Sequence, residues 1–127
     1  MCQVELDILS LITYNNCMNH DNITLIIYQD KIGREPFNEW LNSIKDFRTR
    51  ARIDNRIERL RVGNFGDCKA LGDGVFEMRL HFGPGYRIYY GKIGNEIVVL
   101  LTGGDKSDQA KDIQKAKRYW EDYKRNK

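Results

Sequence analysis

The sequence predicts an α+β fold with the order strand, two helices, three antiparallel strands, helix. Three observations carry this. Residues Val75 to Phe82 alternate Phe76, Met78, Leu80 and Phe82 with Glu77, Arg79 and His81, the period of a strand with one apolar face, and Gly83-Pro84-Gly85 then turns the chain. Residues 35–44 and 47–62 instead space their apolar side chains by three and four, the period of amphipathic helices. A last stripe, Ile113, Ala116, Trp120 and Tyr123, marks a helix from about Asp108 to Lys124. Strands grouped apart from helices point to α+β rather than to a parallel α/β sheet.

The 127 residues, 41% of them hydrophobic, suffice for one domain with one ordinary core. The first seventeen differ from the rest, because they hold Glu5 and Asp7 but neither Lys nor Arg. They therefore lack the positive start of a secretory signal. Residues 1–17 are read as an N-terminal extension, either an appendage on the domain or the product of a start codon upstream of Met18, and residues 18–127 as the domain proper. Setting the two acids aside raises the net charge from +3 to +5. That mild basic excess is compatible with nucleic acid. Cys2, Cys17 and Cys68 fall at no metal or redox spacing, and scattered thiols suit a reducing cytoplasm, the expected location. No metal or cofactor is expected. The longest wholly apolar run, Ile97 to Leu101, is far too short to span a bilayer.

The first strand is predicted over Ile23 to Tyr28. Pro36 stands where a first helical turn tolerates it, and Phe37, Trp40, Leu41 and Ile44 follow on one stripe. The second helix, Phe47 to Val62, carries Ile53, Ile57 and Leu60 inward and ends at Gly63. Its other surface bears Arg48, Arg50, Arg52, Arg56, Arg59 and Arg61, either a phosphate-backbone footprint or a solvated face with Asp54 and Glu58 supplying i,i+4 pairs. Arg52, Arg56 and Arg59, with Lys69 from the loop expected over Asn64 to Gly74, are the candidate RNA- or ribosome-binding residues.

If Gly83 to Gly85 form a three-residue loop, Phe82 pairs with Tyr86, His81 with Arg87, Leu80 with Ile88 and Arg79 with Tyr89. This register puts Tyr86, Ile88 and Tyr90 on the core side. Glu77, Arg79, His81, Arg87 and Tyr89 then share the opposite face, where guanidinium groups can grip a phosphate or else pair with Glu77. The third of these strands, Glu96 to Thr102, ends in Gly103-Gly104-Asp105-Lys106-Ser107. A lysine and free backbone N–H groups at a helix start make a natural anion site, or a plain turn with Ser107 as N-cap. The Walker spacing is absent.

The segments EPFNEWLNSI, GNFGDCKALGDGVFEMRLHFGPGYRIYY and LTGGDKSDQAKDIQKAKRYW together closely resemble HigB-like addiction-module killer proteins of the RelE/ParE toxin superfamily. The likeness runs from about Ile23 to Tyr123, and residues 1–17 have no counterpart in it. It implies a RelE-like fold with the two N-terminal helices as a hairpin against the antiparallel sheet. It also implies a toxin of a type II toxin–antitoxin module, an endoribonuclease that cuts mRNA on the ribosome without a metal and leaves a 2',3'-cyclic phosphate. The implied partners are the ribosome, mRNA and a cognate helix-turn-helix antitoxin, with operator DNA reached only through the antitoxin and no membrane. By motif the resemblance carries catalytic roles to Arg79, Arg87 and Lys106. His81, as the residue type whose unperturbed side chain changes charge near neutral pH, and Tyr89, beside Arg79, are the candidates for acid and base. The same fold serves in ParE-like gyrase inhibitors, and a relic toxin could act only as an antitoxin-bound corepressor. Fold alone does not separate these.

Overall fold

The computed structural model describes residues 22–126; the expected extension, residues 1–17, lies outside them. The elements run β1 (Thr24–Ile27), α1 (Pro36–Ser43), α2 (Phe47–Arg61), β2 (Cys68–Gly72), β3 (Val75–Arg79), β4 (Arg87–Ile93), β5 (Ile97–Gly104), a short 3-10 turn (Lys106–Asp108) and α3 (Gln109–Arg125). The class is α+β as expected, with three helices and a five-stranded sheet among the described residues. Strand order is β1-β5-β4-β3-β2, antiparallel except that β1 joins the edge parallel to β5. β5 lies between β1 and β4 and is buried on both faces, which is why Ile97 to Leu101 is a continuous apolar run instead of an alternation.

Each face of the sheet carries its own hydrophobic cluster. On one face, Phe37 of α1, Ile44 at its C-terminal end, and Ile53 and Leu60 of α2 pack on Met78, Leu80, Ile88, Tyr90, Val98 and Leu100. On the other, Ala116 and Trp120 of α3 pack on Val75, Tyr89, Val99 and Leu101. Two glycines let the tryptophans reach the sheet. A Cβ on Gly103 would stand 2.2 Å from the Trp40 ring, and one on Gly91 2.4 Å from that of Trp120, so only glycine admits either ring. The aromatic stripe of the last helix is thus spent on the sheet.

The sheet departs from expectation in three respects. The stretch expected as a loop over Asn64 to Gly74 contains β2, which forms a hairpin with β3 around Asp73 and Gly74, both left-handed (φ 60° and 84°). Next, the β3–β4 register is shifted by two residues: Arg79 faces Arg87, Met78 faces Ile88 and Glu77 faces Tyr89. The connection is longer than three residues, because Leu80 N–H donates to the Tyr86 carbonyl (2.9 Å) and a turn inside it is closed by Gly85 N–H on the Phe82 carbonyl (3.3 Å). A shift of two preserves the faces, so Glu77, Arg79, Arg87 and Tyr89 still share one side. His81 does not join them, since it lies in the connection. Finally, that side is no solvated surface where α3 covers it: Glu77 and Tyr89 are both 0% exposed.

The start of the last helix also differs. Asp105, not Ser107, is the capping residue of the 3-10 turn, accepting from Ser107 N (2.9 Å) and Ser107 Oγ (2.5 Å). In α2, Arg48, Arg52, Arg59 and Arg61 are exposed while Arg50 and Arg56 are half-buried, and Glu58 pairs with Arg61 three residues on (3.4 Å) in place of an i,i+4 pair.

Candidate functional site

The β3–β4 connection and the β5–α3 corner form the walls of a surface cleft of about 630 Å³. Arg79 enters it from the end of β3, Arg87 from the start of β4, and Lys106 from the turn before α3. Their convergence is a consequence of topology, since β4 lies between β3 and β5 and places both strand ends beside one loop. Gly85 is left-handed (φ 80°), and a Cβ there would meet Arg87 Nη1 at 3.3 Å and Lys106 Cβ at 3.4 Å. Glycine therefore lets the loop lie close over both cations.

The arginines are held from behind by a buried carboxylate. Glu77 Oε1 accepts from Arg79 Nε (3.2 Å), and Glu77 Oε2 accepts from Gln109 Nε2 (2.8 Å) and from the Tyr89 hydroxyl (3.4 Å). Arg87 Nε lies 3.3 Å from Glu77 Oε2, off the line of a hydrogen bond, so the contact is one of charge. Arg87 Nη1 donates to the Gly85 carbonyl (2.8 Å), which ties the guanidinium to the loop. Both cations are thus oriented before anything enters the cleft. Arg87 has 12% of its side chain exposed and Arg79 35%; Arg87 is the deeper anchor and Arg79 the more accessible charge.

Tyr89 is drawn into this buried layer and does not line the cleft. Burial first, then the neighbouring Glu77 charge, pushes its phenol far above the usual range, so it stays protonated and donates. His81 takes the opposite course. It lies in the β3–β4 connection, with 73% of its side chain exposed, and its Nε2 is 2.6 Å from Asp67 Oδ2. Arg79 N–H bonds the Asp67 carbonyl (2.9 Å), so the same residue holds both the strand end and the histidine.

A second cleft, of about 370 Å³, adjoins the first along Arg79, Leu80, His81 and Phe82 and runs up to α2. Arg52, Arg56 and Arg59 line it, with Asp67 and Asn64. Arg52 stacks over the Phe82 ring at 4.0 Å and Arg56 Nη2 donates to the Phe65 carbonyl (3.1 Å), so Arg52 is tied to the β3–β4 connection and Arg56 to the loop between α2 and β2. Lys69, on the edge strand β2, lines neither cleft.

The expected site residues therefore divide. Arg79, Arg87, Lys106 and His81 share one cleft; Arg52, Arg56 and Arg59 share its neighbour; Tyr89 is behind and Lys69 apart. Sequence reasoning missed Asp67 and Gln109, the partners of His81 and Glu77. They stand 14 and 32 residues from those partners, and no local period links such pairs.

No family model matches the chain. An uncharacterized protein of Haemophilus influenzae is 51% identical over 81 residues, which are 64% of this chain and 82% of that protein. The chain belongs to the same family as that protein. Among the described residues, no helix of this family member is long and apolar enough to cross a membrane.

Proposed function

We propose that this chain is a RelE/HigB-like toxin of a type II toxin–antitoxin module and that it cleaves mRNA on the ribosome. The observation that carries the reading is the convergence of Arg79, Arg87 and Lys106 on one cleft, with both arginines pre-oriented by Glu77. Two held arginines and a lysine around one opening suit a phosphate whose negative charge grows during reaction. Cations already in position need no reorganisation at that moment. The neighbouring arginine cleft along α2 extends the same polarity for further phosphates of a strand or of ribosomal RNA.

In the proposed reaction the ribose 2'-oxygen attacks the adjacent 3'-phosphorus as its proton leaves to a base. The P–O5' bond then breaks, and the departing O5' takes a proton. The products are a 2',3'-cyclic phosphate and a 5'-hydroxyl. Arg79 and Arg87 stabilise the phosphorane, Arg87 in bidentate fashion if its free edge meets two oxygens, and Lys106 holds phosphate. Tyr89 serves only to position Glu77, since its protonated hydroxyl is spent on that carboxylate. His81, which contacts Asp67 where the two clefts meet, exchanges the protons in this reading. Ribosomal positioning of the message supplies much of the remaining acceleration.

The experiment is induction of the toxin followed by primer extension on translated messages, beside a gyrase-cleavage assay. Cuts within translated codons that disappear when translation is blocked support the reading. Trapped gyrase cleavage complexes with intact mRNA would replace it by the gyrase-inhibitor reading. His81→Asn, at an exposed position, should leave thermal stability unchanged and slow cleavage; cutting at the wild-type rate would remove His81 from the mechanism.

A further inference from the structure

A third cleft, of about 520 Å³, opens between the α1–α2 junction and the β5–α3 corner, and its charge is opposite to that of the other two. Asp46, Asp105, Asp108 and Asp112 line it against one lysine, Lys45, in a chain whose net charge is +3. Asp46 and Asp105 are held rigidly because each caps a turn, Asp46 through Thr49 and Asp105 through Ser107. Asp112 is different. It is only 8% exposed, and among the described residues it makes neither a hydrogen bond nor an ion pair, although its carboxylate lies against the backbone of Gly104 and lines the cleft. Buried carboxylates are ordinarily paired. The positive end of α3 supplies roughly half an elementary charge here, which tempers the four carboxylates without cancelling them.

We propose that this cleft binds the guanidinium of an arginine presented by a basic segment of a protein partner. Asp112 would be its deep acceptor, and Asp105 and Asp108 would flank it. Arginine is favoured over a metal ion because, among the described residues, no group of three or more His, Cys, Asp or Glu side chains is disposed to hold one. It is favoured over lysine because Trp40 and Tyr86, packed edge to face on each other (ring centroids 6.1 Å, interplanar angle 67°), give the cleft an aromatic side on which a planar guanidinium can stack. A nucleic-acid strand is disfavoured by the same four carboxylates. Burial raises the carboxyl of Asp112 above its ordinary range, and the neighbouring Lys115 and Lys111 charges offset that only in part. Tyr86 also lines the cationic cleft, so an occupant here would abut that opening. The inference stands whether or not the cationic cleft cuts RNA.

The test uses the full chain labelled with 15N and an acetylated, amidated Gly-Arg-Gly-Arg-Gly peptide at low salt. The expected result is saturable movement of the Gly103, Gly104 and Asp105 amide signals and of the Trp40 indole N–H. The peptide with citrulline for arginine, the same shape without the charge, should bind about ten-fold more weakly or not at all. Asp112→Asn and, as a second variant in case the first is misfolded, Asp108→Asn should weaken the arginine peptide in the same direction. Equal binding of the citrulline peptide, undiminished binding by both variants, or no movement at millimolar peptide would overturn the proposal. So would movement of these signals by a short single-stranded RNA but not by the peptide, which would assign the cleft to nucleic acid.

Discussion

Replacing Glu77 by alanine should be among the most damaging single changes in the molecule. Its carboxylate is fully buried and contacts Arg79, Arg87, Tyr89 and Gln109. The largest loss comes from Arg87, whose guanidinium has only 12% of its side chain exposed and would be left without its counter-charge. Breaking a buried pair in this way costs about 3–5 kcal/mol. The Arg79 contact adds little, since that side chain is 35% exposed and water can replace the partner. Near 4 °C per kcal/mol for a domain of this size, the melting temperature should fall by about 12–20 °C. Glu77→Gln keeps one acceptor for Gln109 or Tyr89 and should fall between the two. Thermal and urea denaturation of the three proteins measures this, and a Glu77→Ala variant within about 1 kcal/mol of wild type would refute the clamp. By the same reasoning Arg87→Ala disturbs folding as well as any chemistry, which makes Arg87→Lys and changes at exposed Lys106 the cleaner probes of function.

Asp112 gives a pH signature of opposite sign to an ordinary ion pair. Because its folded-state carboxyl is raised, chiefly by burial, ionising it costs more in the native than in the unfolded chain. That cost is absent below the unfolded pKa of about 4, grows as pH rises towards the folded value, and is complete above it. Asp112→Asn should therefore exceed wild type in stability at pH 7 and lose the advantage at pH 3; an advantage of the same size at both pH values would contradict this. Changing Arg52, Arg56 and Arg59 together to glutamine should lower ribosome affinity and flatten its slope against log salt by about 2, at ~0.7 per phosphate contact. An unchanged slope with lost antitoxin binding would make α2 a protein interface instead. Gly91→Ala should cost about 1–3 kcal/mol, because its Cβ would stand 2.4 Å from the Trp120 ring, and a neutral effect in urea denaturation would show that α3 can slide off the sheet.

Periodicity located both helices of the first layer, the β3–β4 face assignment and the aromatic stripe of α3, since each is written in apolar spacing within a dozen residues. What it could not supply was depth. An alternating strand reads the same whether its polar side meets water or a helix, so the cover that α3 gives Glu77 and Tyr89 could not be read from it. β2 was hidden because Cys68 to Gly72 does not alternate and lies among glycines, yet Asp73-Gly74 before the β-rich run at Val75 is a strong hairpin signal. The register error has a similar origin: Gly83-Pro84-Gly85 marks a turn but does not fix how many flanking residues the connection takes up. His81 left the shared face because the connection takes it up, and its contact with Asp67, 14 residues away, is tertiary.

The most direct measurement is the chemistry of the new ends on a ribosome-bound message cut by the purified protein. The proposed reaction requires a 2',3'-cyclic phosphate on the upstream fragment and a 5'-hydroxyl on the downstream one, the latter labelled by polynucleotide kinase without prior phosphatase. Lys106→Ala should give the same ends about ten-fold or more slowly while melting at the wild-type temperature, since removing one stabilising charge slows the step without touching the core. Ends bearing a 3'-hydroxyl and a 5'-phosphate, or a message left intact at protein concentrations that saturate the ribosome, would contradict it.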